Sequence, residues 1–118
     1  MAHILIAEDD DAMRRFLALA LSRADHEVFA VSNGPDALDA VRSDKFDLMV
    51  IDIIMPGLDG IELALTATGE QPMLKILFIT GFAAMATGRH SPLPPGSGLI
   101  SKPFHLSDLV DRVTELLA

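Results

Sequence analysis

Leu48-Met49-Val50-Ile51-Asp52 decides how this chain folds: four apolar residues in succession, stopped by a carboxylate. A strand with one wet face alternates polar and apolar residues. An unbroken apolar run marks a strand buried on both faces, as in a parallel sheet covered by helices. Three further runs share this character. Ile4-Leu5-Ile6-Ala7 ends at Glu8 and Asp9, Ile76-Leu77-Phe78-Ile79 ends at Thr80, and the shorter Leu99-Ile100 ends at Ser101 and Lys102. Residues 27–31 give one more strand.

Helical spacing fills the gaps between these runs. From residue 11 to about 23, Met13, Phe16, Leu17, Ala20 and Leu21 recur on one face, with Asp10 or Asp11 as the cap. Asn33-Gly34-Pro35-Asp36 is a turn with proline at a helix start, and Ala37, Leu38 and Val41 form that helix's inner face. After a loop over residues 55–60, the pattern predicts a helix over 61–68, closed by Gly69 and Pro72. A last helix runs from 106 to 117 with Leu109, Val110, Val113, Leu116 and Leu117 inward. Strands alternating with helices imply βαβ units and an α/β, doubly wound parallel sheet. One segment breaks the pattern. Residues 81–98 should hold a helix, and 83–87 suffice for a turn of it, but Gly88, Pro92, Pro94, Pro95, Gly96 and Gly98 exclude a regular helix beyond.

The 118 residues suit one domain, expected to span 1–118, and half of them are apolar. With 17 acidic against 9 basic residues the net charge is -8, which argues against nucleic-acid binding through a basic face. There is no cysteine, so thiolate chemistry and cysteine-based zinc sites are excluded. The apolar start is too short for a secretory signal or a membrane span, so a cytoplasmic protein without membrane insertion is expected.

The chemistry-bearing residues sit where strands end. In an open parallel sheet the carboxyl ends share one edge, where ligands bind. Glu8, Asp9, Asp52, Thr80 and Lys102 should therefore meet in space. Three carboxylates placed together require either a shared proton or a cation. Hard oxygen ligands suit Mg²⁺, Lys102 adds a point positive charge, and a threonine hydroxyl can bond a phosphoryl oxygen. Such a set suits phosphoryl transfer to a carboxylate. Singly, each residue has a plainer reading. An aspartate after a strand is commonly a cap or turn residue, and residues 8–11 read as a solvated helix start. Only their joint occurrence at the ends of different strands carries weight.

These stretches, together with Ile51-Asp52-Ile53-Ile54-Met55-Pro56-Gly57-Leu58-Asp59-Gly60, Ile79-Thr80-Gly81 and Ser101-Lys102-Pro103-Phe104, resemble the receiver domain of two-component response regulators across the whole chain. The resemblance implies the CheY-like, flavodoxin-like strand order 2-1-3-4-5, here with an irregular Pro/Gly-rich fourth-helix region. It implies Asp52 as phosphoacceptor and Mg²⁺ held by Asp9, Asp52, the Ile54 carbonyl and, through water, Glu8. Thr80 is similar to the switch hydroxyl and Lys102 to the residue that pairs with the phosphoryl group, before a cis Lys102-Pro103 peptide. The donor would be a sensor histidine kinase or histidine phosphotransferase. Such a protein assists its own phosphorylation and is not an enzyme acting on a separate substrate. Ala7-Glu8-Asp9-Asp10, Arg14-Arg15-Phe16-Leu17, residues 78–84 and residues 102–106 further resemble the CpdR family of single-domain regulators. That likeness implies an adaptor that primes the ClpXP protease and acts when unphosphorylated.

Two rival functions stay open on the residues alone. One is a receiver-fold interaction module whose signalling does not depend on phosphorylation, which the intact site set counts against. The other is an aspartyl-phosphate phosphatase, which wants a second aspartate two residues after the nucleophile, where this chain has Ile54. Three features depart from the receiver pattern. Leu99 stands where receivers often carry an aromatic switch residue, and is expected to be plain core. Ile54 and Phe82 are apolar at positions that often orient the attacking water, which predicts slow self-dephosphorylation. Residues 88–98 are expected to be an irregular surface loop, with His90 solvated; a segment ordered by a partner or by phosphorylation is the competing reading.

Overall fold

The computed structural model describes residues 1–55, 58–81 and 93–118, with the side chains of Ile54 and Leu58 excepted. Five parallel strands form the sheet: β1 (His3–Ala7), β2 (Glu27–Val31), β3 (Leu48–Asp52), β6 (Lys75–Thr80) and β7 (Gly98–Ser101). Their order is β2-β1-β3-β6-β7, which is 2-1-3-4-5 when only these five are counted. Four helices are described: α1 (Asp11–Arg23), α2 (Gly34–Ser43), α3 (Gly60–Glu70) and α4 (Leu106–Leu117). A two-residue antiparallel pair, β4 (Ile54–Met55) with β5 (Leu58–Asp59), stands apart from the sheet.

The period of two along each strand splits the core into two layers. Leu5, Met49, Ile51 and Phe78 point toward α2 and α3, where Ala37, Val41, Leu63 and Ala64 meet them. Ile4, Ile6, Leu48, Val50, Leu77 and Ile79 point the other way, against Leu17 and Leu21 of α1 and Leu109 and Val113 of α4. β3 is buried along its whole length, as its unbroken apolar run requires. Each such Leu, Ile or Phe contributes about 1.5–3 kcal/mol by leaving water.

Local chemistry fixes the helix starts. The Asp10 carboxylate accepts from Met13 N at 2.7 Å, so Asp10 and not Asp11 caps α1. Asn33 caps α2 by accepting from Asp36 N at 2.8 Å, and Asp59 caps α3 by accepting from Ile61 N at 2.8 Å. The structure departs from the sequence expectation in three places. Met55, Leu58 and Asp59 are in the small strand pair rather than a plain loop, and Gly60 already belongs to α3. Gly69 lies inside α3, and the helix ends at Glu70 with Gln71 as its C-cap, whose N–H donates to Ala67 O at 2.8 Å. The Gln71 side chain then donates to the carbonyls of Val41 and Asp44, both at 2.7 Å, tying that end to α2. An exposed glycine costs a helix only about 1 kcal/mol, too little to stop it against these ties.

Leu99 is the third correction. It is 41% exposed on the edge strand β7, whereas its neighbour Ile100 is buried against α4. Successive side chains on a strand face opposite ways, and only Ile100 faces the helix. Of the irregular segment, residues 94–97 make a turn, with Gly96 at φ +81° and Ser97 N donating to Pro94 O at 3.1 Å. Phe82, the turn of helix at 83–87 and His90 lie outside the described residues.

Candidate functional site: an acidic pocket with one lysine

The pocket lies at the carboxyl edge of β1, β3, β6 and β7. Register explains the convergence. Ala7 pairs with Ile51 and Asp52 with Ile79, so Glu8 and Asp9 leave β1 beside the end of β3, and Thr80 ends the next strand over. Thr80 pairs with Ser101, and Lys102 N donates to Thr80 O at 2.8 Å, which sets Lys102 at the same edge.

Glu8, Asp9 and Asp52 each offer a carboxylate oxygen, and these atoms lie within 4.8 Å of one another. Three hard oxygen donors gathered this closely are the kind of set that would hold a divalent cation such as Mg²⁺. Glu8 is 1% exposed, and its Oε2 has no hydrogen-bond partner among the described residues. A buried carboxylate oxygen left so is costly unless a proton or cation satisfies it. The donor set and this orphaned atom both fit a hard divalent cation. Ile54, the fourth expected ligand through its carbonyl, begins β4 two residues after Asp52.

Charge follows from this packing. Burial first, then the Asp52 charge and a hydrogen bond with Asp52, push the Glu8 carboxyl up to about 7. Burial pulls the Lys102 ammonium down, but its hydrogen bond and ion pair with Asp52, helped by Glu8 and Asp10, outweigh that and hold it above the ordinary lysine value. Lys102 Nζ donates to Asp52 Oδ2 at 2.9 Å, and Asp52 is buried. Thr80 is buried too, and its hydroxyl donates to Gly81 O at 3.4 Å. Lys102-Pro103 is cis, as the resemblance implied.

Two supporting residues were not singled out by sequence reasoning. Arg14 of α1 reaches back to donate from Nη1 to Glu8 O at 3.0 Å, while its Nη2 pairs with Asp11. It thereby fixes the acidic turn from below. Gly60 donates its N–H to Ile53 O at 2.9 Å, and a Cβ there would meet Asp52 O and lie 2.8 Å from Ile53 Cα. Neither has a sequence signal beyond its motif: Arg14 reads as a surface helix residue and Gly60 as a turn. Ile54 and Phe82, on which the slow-hydrolysis expectation rests, are not described at the side-chain level.

A five-stranded 2-1-3-4-5 sheet with an acidic pocket and a lysine at its carboxyl edge is the architecture of a receiver domain. Residues 4–114 match the model of the response regulator receiver domain, and the chain belongs to that family. Within it, the chain is 49% identical over 117 residues to the response regulator receiver protein CpdR of Brucella abortus, covering 99% of this chain and 98% of that one. It is also 32% identical to the sensor kinase CckA of the same organism, covering 98% of this chain but 12% of that much longer protein. Among solved structures, the receiver domain of the hybrid histidine kinase CckA superposes with a TM-score of 0.84 at 30% identity, covering 98% of this chain and 99% of that one. The response regulator TrrA of Thermotoga maritima, solved with Mg²⁺ and BeF, gives 0.85 at 28% identity, covering 99% and 100%. No helix among the described residues is long and apolar enough to cross a membrane.

Proposed function

We propose that this chain is a stand-alone response regulator that accepts a phosphoryl group on Asp52 from the phosphohistidine of a sensor histidine kinase or histidine phosphotransferase. The observation that carries the reading is the ion pair of Lys102 with Asp52 beside the Glu8 and Asp9 carboxylates. A carboxylate oxygen of Asp52 forms the new P–O bond as the donor's P–N bond breaks, and the electron pair stays with the imidazole. Lys102 follows the growing charge on the phosphoryl oxygens, and Thr80, at the end of the neighbouring strand, supplies a hydroxyl for one of them. Glu8, Asp9, Asp52 and the Ile54 carbonyl would hold Mg²⁺, which neutralises phosphoryl charge when bound.

The output is partner binding. The likeness to CpdR across nearly the full length of both chains supports an adaptor role in ClpXP proteolysis, in the cytoplasm, with the unphosphorylated form active. Reconstituted degradation by ClpXP tests this. Added protein should speed turnover of an adaptor-dependent substrate, and phosphorylation of Asp52 should abolish the effect. Equal stimulation by both forms would instead favour an interaction module indifferent to phosphate.

A further inference from the structure

At the sheet edge opposite β7, the sequence leaves β2 unprotected. Among the described residues β2 pairs with β1 alone, and its five residues Glu27-Val28-Phe29-Ala30-Val31 carry one charge, at Glu27 where the strand begins, and no lysine, no proline and no bulge. Edge strands usually carry such features because bare N–H and C=O groups invite a further strand. The direction of those groups follows from two hydrogen bonds. Glu27 N donates to Ala2 O at 2.8 Å and Val31 O accepts from Glu8 N at 3.1 Å, so the odd-numbered residues face β1. The polar backbone groups of Val28 and Ala30 therefore point outward.

Beside this edge runs a groove of about 500 Å³ between β2 and α2. Phe46 and Val31 form its buried floor, and Phe29, 50% exposed, forms an uncovered wall. Its rim carries Asp36, Asp39 and Asp44, and among the described residues no lysine or arginine lines it. The His3 ring also lines the groove. Its Nδ1 lies 2.8 Å from Lys45 O, and its Nε2 is 3.9 Å from Asp44.

We infer that β2 and this groove form a docking surface for an extended, basic segment of a partner protein. The segment adds as a sixth strand along Val28 and Ala30, sets an apolar side chain against Phe29 and Phe46, and aims lysines or arginines at the three aspartates. Charge decides the occupant. A second copy paired β2 to β2 would bring two acidic rims together in a chain of net charge -8, whereas a basic segment is attracted to the same rim. The surface lies away from the Asp52 pocket, so it does not depend on the phosphoacceptor reading.

The test is an amide-resolved NMR titration with a short peptide alternating arginine with valine and leucine, run with Mg²⁺ present to fill the competing acidic pocket. Shifts should concentrate at Val28, Ala30 and the α2 aspartates, and a peptide with glutamate for arginine should give none. Ala30→Pro removes an outward N–H without touching the β1 ladder, and Asp39→Lys reverses one rim charge. Each should weaken binding roughly five- to tenfold with the spectrum otherwise folded. Binding unchanged in both variants, shifts confined to the Asp52 pocket, or no shifts would overturn the inference. So would a self-dimer, seen by sedimentation, that Ala30→Pro abolishes.

Discussion

Lys102 Nζ and Asp52 Oδ2 lie 2.9 Å apart although 50 residues separate them in sequence. The contact exists because β7 and β3 end at one sheet edge with β6 between them, and it places a cation on the carboxylate that would receive the phosphoryl group. Lys102→Met should therefore slow phosphorylation of Asp52 by acetyl phosphate about 10²-fold, the usual cost of removing one donor from a developing oxyanion. Lys102→Arg should not restore the rate, because the guanidinium is larger and its donors are fixed in a plane. Initial rates measured by phosphate-affinity electrophoresis decide both.

Gly60 and Gly69 should respond in opposite directions to alanine. A Cβ at Gly60 collides with the backbone of Asp52 and Ile53, so Gly60→Ala should cost on the order of 2–4 kcal/mol and slow phosphorylation of what remains folded. A Cβ at Gly69 would meet no atom of the described residues within 4 Å and the residue is helical, so Gly69→Ala should stabilise by about 0.5–1 kcal/mol. Urea unfolding of the two variants checks the pair.

The raised Glu8 carboxyl makes metal-free stability depend on pH. Its folded value of about 7 lies above the ordinary 4.5, so the folded state holds the proton more tightly than the unfolded state. The resulting stabilisation is complete below pH 4.5 and is lost as pH rises through 7, by on the order of 3 kcal/mol. Saturating Mg²⁺ should offset the loss at pH 8, and Glu8→Gln should flatten the metal-free profile while weakening Mg²⁺ binding. Thermal unfolding between pH 5 and 8, with and without Mg²⁺, reads all three.

Leu99 and Ile100 should separate sharply. Leu99→Thr on the exposed face of β7 should change stability by less than about 0.5 kcal/mol. Ile100→Ala, which empties a site against α4, should cost about 2–4 kcal/mol.

Much of this was legible in the sequence. Apolar runs at Ile4, Leu48, Ile76 and Leu99 marked four of the strands, and the residues that follow or end them, Glu8, Asp9, Asp52, Thr80 and Lys102, do share one edge, because parallel topology leaves them no other. What was missed depends on contacts between segments far apart. Gly69 reads as a helix stop until Gln71 is seen bonded to α2. Leu99 reads as core because hydropathy does not say which face of an edge strand a helix covers. Gly60 is a more local case: it reads as a turn because the β4–β5 pairing that sets it against Ile53 involves strands of only two residues, too short to show in the sequence pattern.

The central claim is that Asp52 takes a phosphoryl group in a pocket built for Mg²⁺. Intact-mass spectrometry after incubation with acetyl phosphate, with Mg²⁺ or with a chelator, tests it most directly. A single phosphoryl adduct is expected on the wild type, dependent on Mg²⁺ and absent from Asp52→Ala. No adduct on the wild type with Mg²⁺, or an adduct that persists in Asp52→Ala, would contradict it.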